Sequence, residues 1–259
     1  MVETEILGSP PGAIKKSATQ KRPGIEYATG LSLLGLTSGL VSVDSLIGGL
    51  KRDTVALLTG SDVRLRAAER YCIRAQLPQA KGGLDGGAFF IDGGNSFDVY
   101  MFTDLARRYH LDYDAALDRQ SLSRAFTIYE LRSLMEESER VFMARRPKLL
   151  VVSEVFSLFT EDIARYEARR VFRDLVSSIS EISRDQRVPV LLTSASRHEA
   201  LTPTLEERCN ISADIVQGEG RVESRLFKHP WRAPRETVTE TCLRNYNQDT
   251  LRTEAESRG

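Results

Sequence analysis

The stretch LLTGSDVRLRAAER, Leu57 to Arg70, has the frame of a phosphate-binding loop without its chemistry. A short apolar run, VALLTG, ends in Gly60 and passes into a segment of helical periodicity. That is the layout in which backbone N–H groups cradle an anion at a helix N-terminus. The pattern for such a loop is G-x-x-x-x-G-K-[ST]; counted from Gly60, the chain gives G-S-D-V-R-L-R-A. Leu65 stands where a second glycine would let the backbone close around phosphate with no side chain in the way. Arg66 stands where lysine would bring a compact point charge to the terminal phosphates; it keeps the charge but is larger, planar and differently aimed. Ala67 stands where a hydroxyl would ligate magnesium, and offers only a methyl. Two readings of the local cations stay open. Arg64 and Arg66 hold an anion at the helix N-terminus, or they bond to Glu69, Asp62 or Asp92 and fill the pocket themselves. No cofactor is expected, with ATP the open question.

Other chemistries find little support. His110, His198 and His229 are scattered, and Cys72, Cys209 and Cys242 lack C-x-x-C spacing, so no metal site and no disulfide framework is expected. No Ser-His-Asp set or paired carboxylates stand out. Lys plus Arg and Asp plus Glu number 36 each, which gives no net attraction to nucleic acid or membrane. No apolar run approaches the ~18 residues of a membrane span and no signal-peptide pattern opens the chain, so a cytoplasmic protein is expected. Trp231, in HPWRAP, reads as a packing anchor.

A loop of this kind needs a sheet behind it, and the pattern supplies one. VALLTG is followed by a helix from about Leu65 to Leu77, stopped by Pro78. GGAFFIDGG leads to a helix with Phe102, Leu105, Ala106 and Tyr109 on one face. SRAFTI reads as a third strand, before a helix with Leu131, Leu134, Met135 and Phe142 inward. KLLVVSEV, a long helix with Val171, Leu175, Ile179 and Ile182 inward, and RVPVLLTS complete the alternation. Continuous apolar runs between amphipathic helices predict an α/β fold with a mostly parallel central sheet covered on both faces. Function in such a sheet sits beyond the strand carboxyl ends: Gly60, Asp92 to Asn95, Ser153 to Glu154, and Ser194. From about Ala213, the segments ADIVQ, RVESRLFKHP and ETCLRNYN predict an antiparallel extension. Residues 1–24 read as a flexible basic arm carrying Lys15, Lys16, Lys21 and Arg22, residues 25–36 as a tether or linker, 37–249 as the core and 250–259 as a disordered tail.

Several stretches in order resemble RecA-type recombinases, in particular the archaeal RadA and eukaryotic recombinase branch with its RecA-like P-loop NTPase fold. TSGLVSVDSLIGGLKRDTVALLTG resembles the lead into that core; GGAFFIDGGNSF, DLARRYHLD and SRAFTIYEL resemble the next strand, helix and strand. PKLLVVSEVFSLF falls on the Walker B strand, VPVLLTSAS on the strand carrying a sensor, and ESRLFKHPWRAP on a late strand with trailing prolines. The resemblance covers roughly Ile25 to Tyr246; a KaiC-type domain is the alternative.

The resemblance implies three further departures. The catalytic glutamate that activates water falls on Gly94, and a general base cannot be a hydrogen atom. Asp92 is present but reads as a turn residue bonding its own backbone. The Walker B acid falls on Ser153, with Glu154 one residue on and so expected on the opposite face of the strand. The sensor amides fall on Ser194 and Ala195. The family's two DNA loops fall on TEDIARYEARR and SASRHEALTPTLEER, where Arg165, Arg197 and His198 are the best DNA-binding candidates and no aromatic platform is evident. A protomer tether spaced as Phe-x-x-Ala falls on Ile25 and Ala28, with folding back onto the chain's own core as the other reading. The expectation is a pseudo-ATPase paralogue in homologous recombination and DNA repair. It would bind a RadA-type recombinase or another paralogue, as a hetero- or homo-oligomer, with single-stranded DNA as a further partner. The alternatives are a slow or nucleotide-gated ATPase and a scaffold with no DNA role.

Overall fold

β1 (Val55–Gly60), β2 (Ala88–Asp92), β4 (Leu149–Ser153) and β5 (Val190–Ser194) are buried at every residue. They are apolar up to their polar carboxyl-terminal residues because helices cover both faces of the sheet. The computed structural model describes residues 35–160, 164–218 and 220–240. The arm, Ile25 and Ala28 of the tether, and the tail lie outside the described residues.

The sheet order is β3-β2-β4-β5-β1-β6-β7-β8. β3 (Gln120–Arg124) and β6 (Ile211–Gly218) bound the parallel part. β7 (Arg221–Lys228) and β8 (Arg235–Glu240) add antiparallel strands beyond β6. Period-two alternation divides β1 between two cores. Ala56 and Leu58 meet α1 (Val41–Ile47), α2 (Val63–Ala75), α3 (Val99–Arg108) and α4 (Tyr113–Asp118) on one face. Val55 and Leu57 meet α5 (Ile128–Arg145), α6 (Arg165–Asp185) and α7 (Thr202–Arg208) on the other. Among the described residues, no helix is long and apolar enough to cross a membrane.

Several sequence expectations differ from the structure. The third strand is not SRAFTI but QSLSR, so only Ser123 and Arg124 are shared. The residues after it obey a helix-start signal instead: Thr127 accepts the Glu130 N–H (3.1 Å) and Glu130 reaches back to the Phe126 N–H (2.7 Å). The last strand among the described residues is RETVTE, which pairs with β7 from Leu226↔Arg235 to Arg221↔Glu240, and ETCLRNYN lies outside the described residues beyond Glu240. The antiparallel extension also starts one strand later than expected, since β6 runs parallel to β1. Finally, Trp231 is no packing anchor: it is 65% exposed.

Candidate functional site

The loop after β1 is shorter than a phosphate cradle. Gly60 has φ 113°, and a Cβ there would lie 2.0 Å from the Ile215 carbonyl oxygen. The approach of β6, then, already requires this glycine, independent of any anion. α2 starts at Val63, leaving only Ser61 and Asp62 between strand and helix. The Ser61 N–H donates to the Ile215 carbonyl (2.8 Å) and the Arg64 N–H to that of Ser61 (3.0 Å). The Leu65 and Arg66 N–H groups donate to the Asp62 carbonyl at 3.1 and 3.2 Å. These are donors that a bound phosphate would need, and they are already spent. Ala67 is buried in the core facing the sheet and offers no metal ligand. These residues do not fit a magnesium-bound nucleotide.

Arg64 turns inward. Its Nε donates to Glu154 Oε1 (2.8 Å) and its Nη1 to the Gly60 carbonyl (2.8 Å). Each side chain of this Arg64–Glu154 pair is only 9% exposed. Glu154 was expected on the far face of β4; the structure brings it into the site. The strand ends at Ser153, and Glu154 adopts φ 55°, which redirects the chain. Its second oxygen accepts the Ala195 N–H (3.0 Å), so the position where the resemblance places a sensor amide supplies a backbone donor to the plug. Glu154 also takes the space above Gly94, where a Cβ would come within 2.5 Å of its Cγ. Of the acids proposed to pair with the loop arginines, only exposed Asp62 approaches Arg64, at 3.5 Å. Arg66 instead donates through Nη2 to Gln217 Oε1 (2.8 Å) and ties α2 to β6.

Asp92, at the end of β2, is buried and fully engaged. Its carboxylate accepts the N–H groups of Gly94 (3.2 Å), Ser96 (2.9 Å) and Phe97 (3.0 Å) and the hydroxyls of Ser96 (3.0 Å) and Ser153 (2.9 Å). Burial pushes this carboxyl up, but the Ser96 and Phe97 N–H groups and the two serine hydroxyls outweigh it and hold it below the usual range. Ser153, where the resemblance places the Walker B acid, thus links β4 to β2 and presents no acid of its own. Behind α2, Glu69 is 1% exposed; its Oε1 accepts the Asp98 N–H (2.7 Å), and its Oε2 has no partner among the described residues. Burial pushes the Glu69 carboxyl up to about 8; the Asp98 N–H opposes this, and the nearby Asp98 and Asp92 charges add to it.

The DNA-loop candidates separate. Arg165 and His198 line one cavity of about 750 Å³, together with Phe159, Arg169 and Glu199. Arg197 does not join them: it donates to Glu206 (2.7 Å) and Ser212 (3.1 Å) and lies 3.9 Å over the Phe227 ring. Arg169 escaped the sequence reading, although it sits four residues from Arg165 on one helix and so shares its face. Tyr166, 81% exposed, is an aromatic in the first loop region that the sequence reading overlooked.

A sequence model of the Rad51 family matches residues 31–212. The chain is similar to the human "Meiotic recombination protein DMC1/LIM15 homolog", 27% identical over 168 residues, covering 61% of this chain and 49% of that protein. It is also similar to the "Meiotic recombination protein DMC1 homolog" of Lilium longiflorum (26% over 192 residues; 68% and 55%). A third relative is the "DNA repair protein RAD51 homolog" of Solanum lycopersicum (23% over 175 residues; 65% and 51%). The chain spans about half the length of these relatives.

Proposed function

The chain belongs to the Rad51 family, and from that premise we propose that it is a non-catalytic member, an accessory factor in recombination and DNA repair. It works by binding, with a recombinase of the same family or another paralogue as its protein partner and single-stranded DNA as the second. Hydrolysis of ATP is not its task.

The observation that carries this reading is the Arg64–Glu154 pair, which fills the space between the β1 loop and Gly94. Phosphoryl transfer depends on positioned backbone donors, a fixed metal and a base near the water. Here the loop donors are bonded within the fold, Ala67 has no hydroxyl, Gly94 has no side chain and Asp92 is saturated by its own loop. For DNA, the support is the cavity that gathers Arg165 and Arg169 beside His198.

Calorimetric titration with ATP and magnesium tests the first half. No binding isotherm is expected, and a micromolar one overturns the reading. Capture of the full chain's partners tests the second half: recovery of a recombinase supports it, whereas tight association only with proteins unrelated to recombination refutes it.

A further inference from the structure

A second charged surface lies at the other end of the sheet. Residues 229–235 fold against the C-terminal end of α1. His229 Nε2 donates to the Ile47 carbonyl (2.9 Å), and Arg232 Nη1 donates to those of Ser45 (2.6 Å) and Leu46 (2.9 Å). Arg235 Nη2 donates to Ser45 as well (2.6 Å). Basic groups belong at a helix C-terminus, but a seven-residue helix explains neither their number nor what surrounds them. Lys51 Nζ sits 4.0 Å over the Trp231 ring, next to exposed Arg52. Neither Lys51, Arg52, Arg232 nor Arg235 has a carboxylate partner among the described residues. Their fields reach one another: burial, together with the charges of Arg232, Arg235 and Lys51, holds His229 below the usual imidazole range against the pull of the Ile47 carbonyl.

We propose that Trp231, Lys51, Arg52, Arg232 and Arg235 form a docking surface for single-stranded nucleic acid. An unpaired base stacks on the exposed indole, and the flanking phosphates meet cations that no carboxylate among the described residues neutralises. The chemistry favours this occupant over an acidic peptide: Trp231 is 65% exposed and its ring meets Lys51 and, in a T-shaped contact at 5.6 Å, His229, and carboxylates would satisfy the charge but leave it without a stacked flat partner. A duplex, with its bases stacked inside, offers the indole none either. The surface precedes β1, whereas the Arg64–Glu154 site follows it, so the two lie about 20 Å apart along six strand residues. It rests on the proposed role for single-stranded DNA but stands on residues apart from the Arg165–Arg169 cavity.

Trp231 is the single tryptophan of the chain, which makes its emission a private reporter. On titration of the full chain with an oligothymidine, the emission is expected to quench to saturation and to recover with added salt. Trp231→Ala should weaken the binding seen by oligonucleotide anisotropy roughly tenfold, the loss of one stacked base. Lys51→Gln with Arg52→Gln, which keeps Trp231 but removes the ammonium over its ring, should lower the salt dependence of the binding constant by about one to two phosphate contacts. Arg165→Glu with Arg169→Glu should leave the quenching intact. Unmoved emission on saturation with the oligonucleotide overturns the proposal, as does quenching by polyglutamate with the oligonucleotide silent. So does a Trp231→Ala variant with normal circular dichroism and unchanged affinity.

Discussion

Replacing Arg64 with methionine should cost the protein about 3–5 kcal/mol of stability. Arg64 and Glu154 are each 9% exposed and meet at 2.8 Å. Methionine fills much of the arginine's volume but leaves the Glu154 carboxylate buried, with the Ala195 N–H as its remaining side-chain donor bond. An uncompensated buried charge is the costly outcome; the pair itself is not, because desolvation offsets most of its attraction. Glu154→Leu alone should therefore also destabilise, by stranding the guanidinium, which would keep only the Gly60 carbonyl and distant Asp62. The double variant Arg64→Met/Glu154→Leu should return to within about 1–2 kcal/mol of the parent. The assay is urea unfolding followed by far-ultraviolet circular dichroism, run as a double-mutant cycle. In thermal melts the single substitutions should lower Tm by about 6–20 °C for a domain of this size. Single variants within about 1 kcal/mol of the parent, or a double variant no better than either single, would refute the claim that this pair holds the loop.

Three further outcomes follow from the same geometry. Gly94→Glu, which restores an acid where the resemblance places the catalytic base, should lower Tm because its Cβ meets Glu154 at 2.5 Å, and Glu154→Gly should relieve part of that loss. Glu69, raised from 4.5 to about 8 in the folded protein, contributes stability that is fully present below about pH 4.5 and lost as pH rises through about 8. Denaturation across that window should show Glu69→Gln gaining on the parent as pH rises, by up to about 4–5 kcal/mol, and parallel curves would contradict the assignment. Arg165→Glu with Arg169→Glu should weaken oligonucleotide binding at the cavity by about tenfold or more in low salt, with little change in Tm; equal affinities would remove the cavity from the proposed function.

The doubly covered strands were legible because burial on both faces writes continuous apolar runs such as FFID and LLVV. β3 was not, since it is an edge strand, half exposed and polar, and its neighbours Ala125 and Phe126 drew the reading three residues downstream. The departures of Leu65, Arg66 and Ala67 from the phosphate-loop pattern could be read directly. What fills the site instead could not. Arg64 and Glu154 are 90 residues apart, and their meeting depends on Glu154 taking a positive φ that local preference disfavours for a residue with a side chain. Arg197 looked like Arg165 in the sequence, but β6 and α7 bring Ser212 and Glu206 to it and turn it into a structural tie.

Three ties rivet the β1 loop and the start of α2 to two strands: Ser61 to β6 through Ile215, Arg66 to β6 through Gln217, and Arg64 to the end of β4 through Glu154. A loop that is to take up an anion keeps its backbone donors free for it. A segment fastened from within has no slack to take up. The surfaces that radiate from it are expected to offer a partner the same shape through every swing of the cell's energy supply.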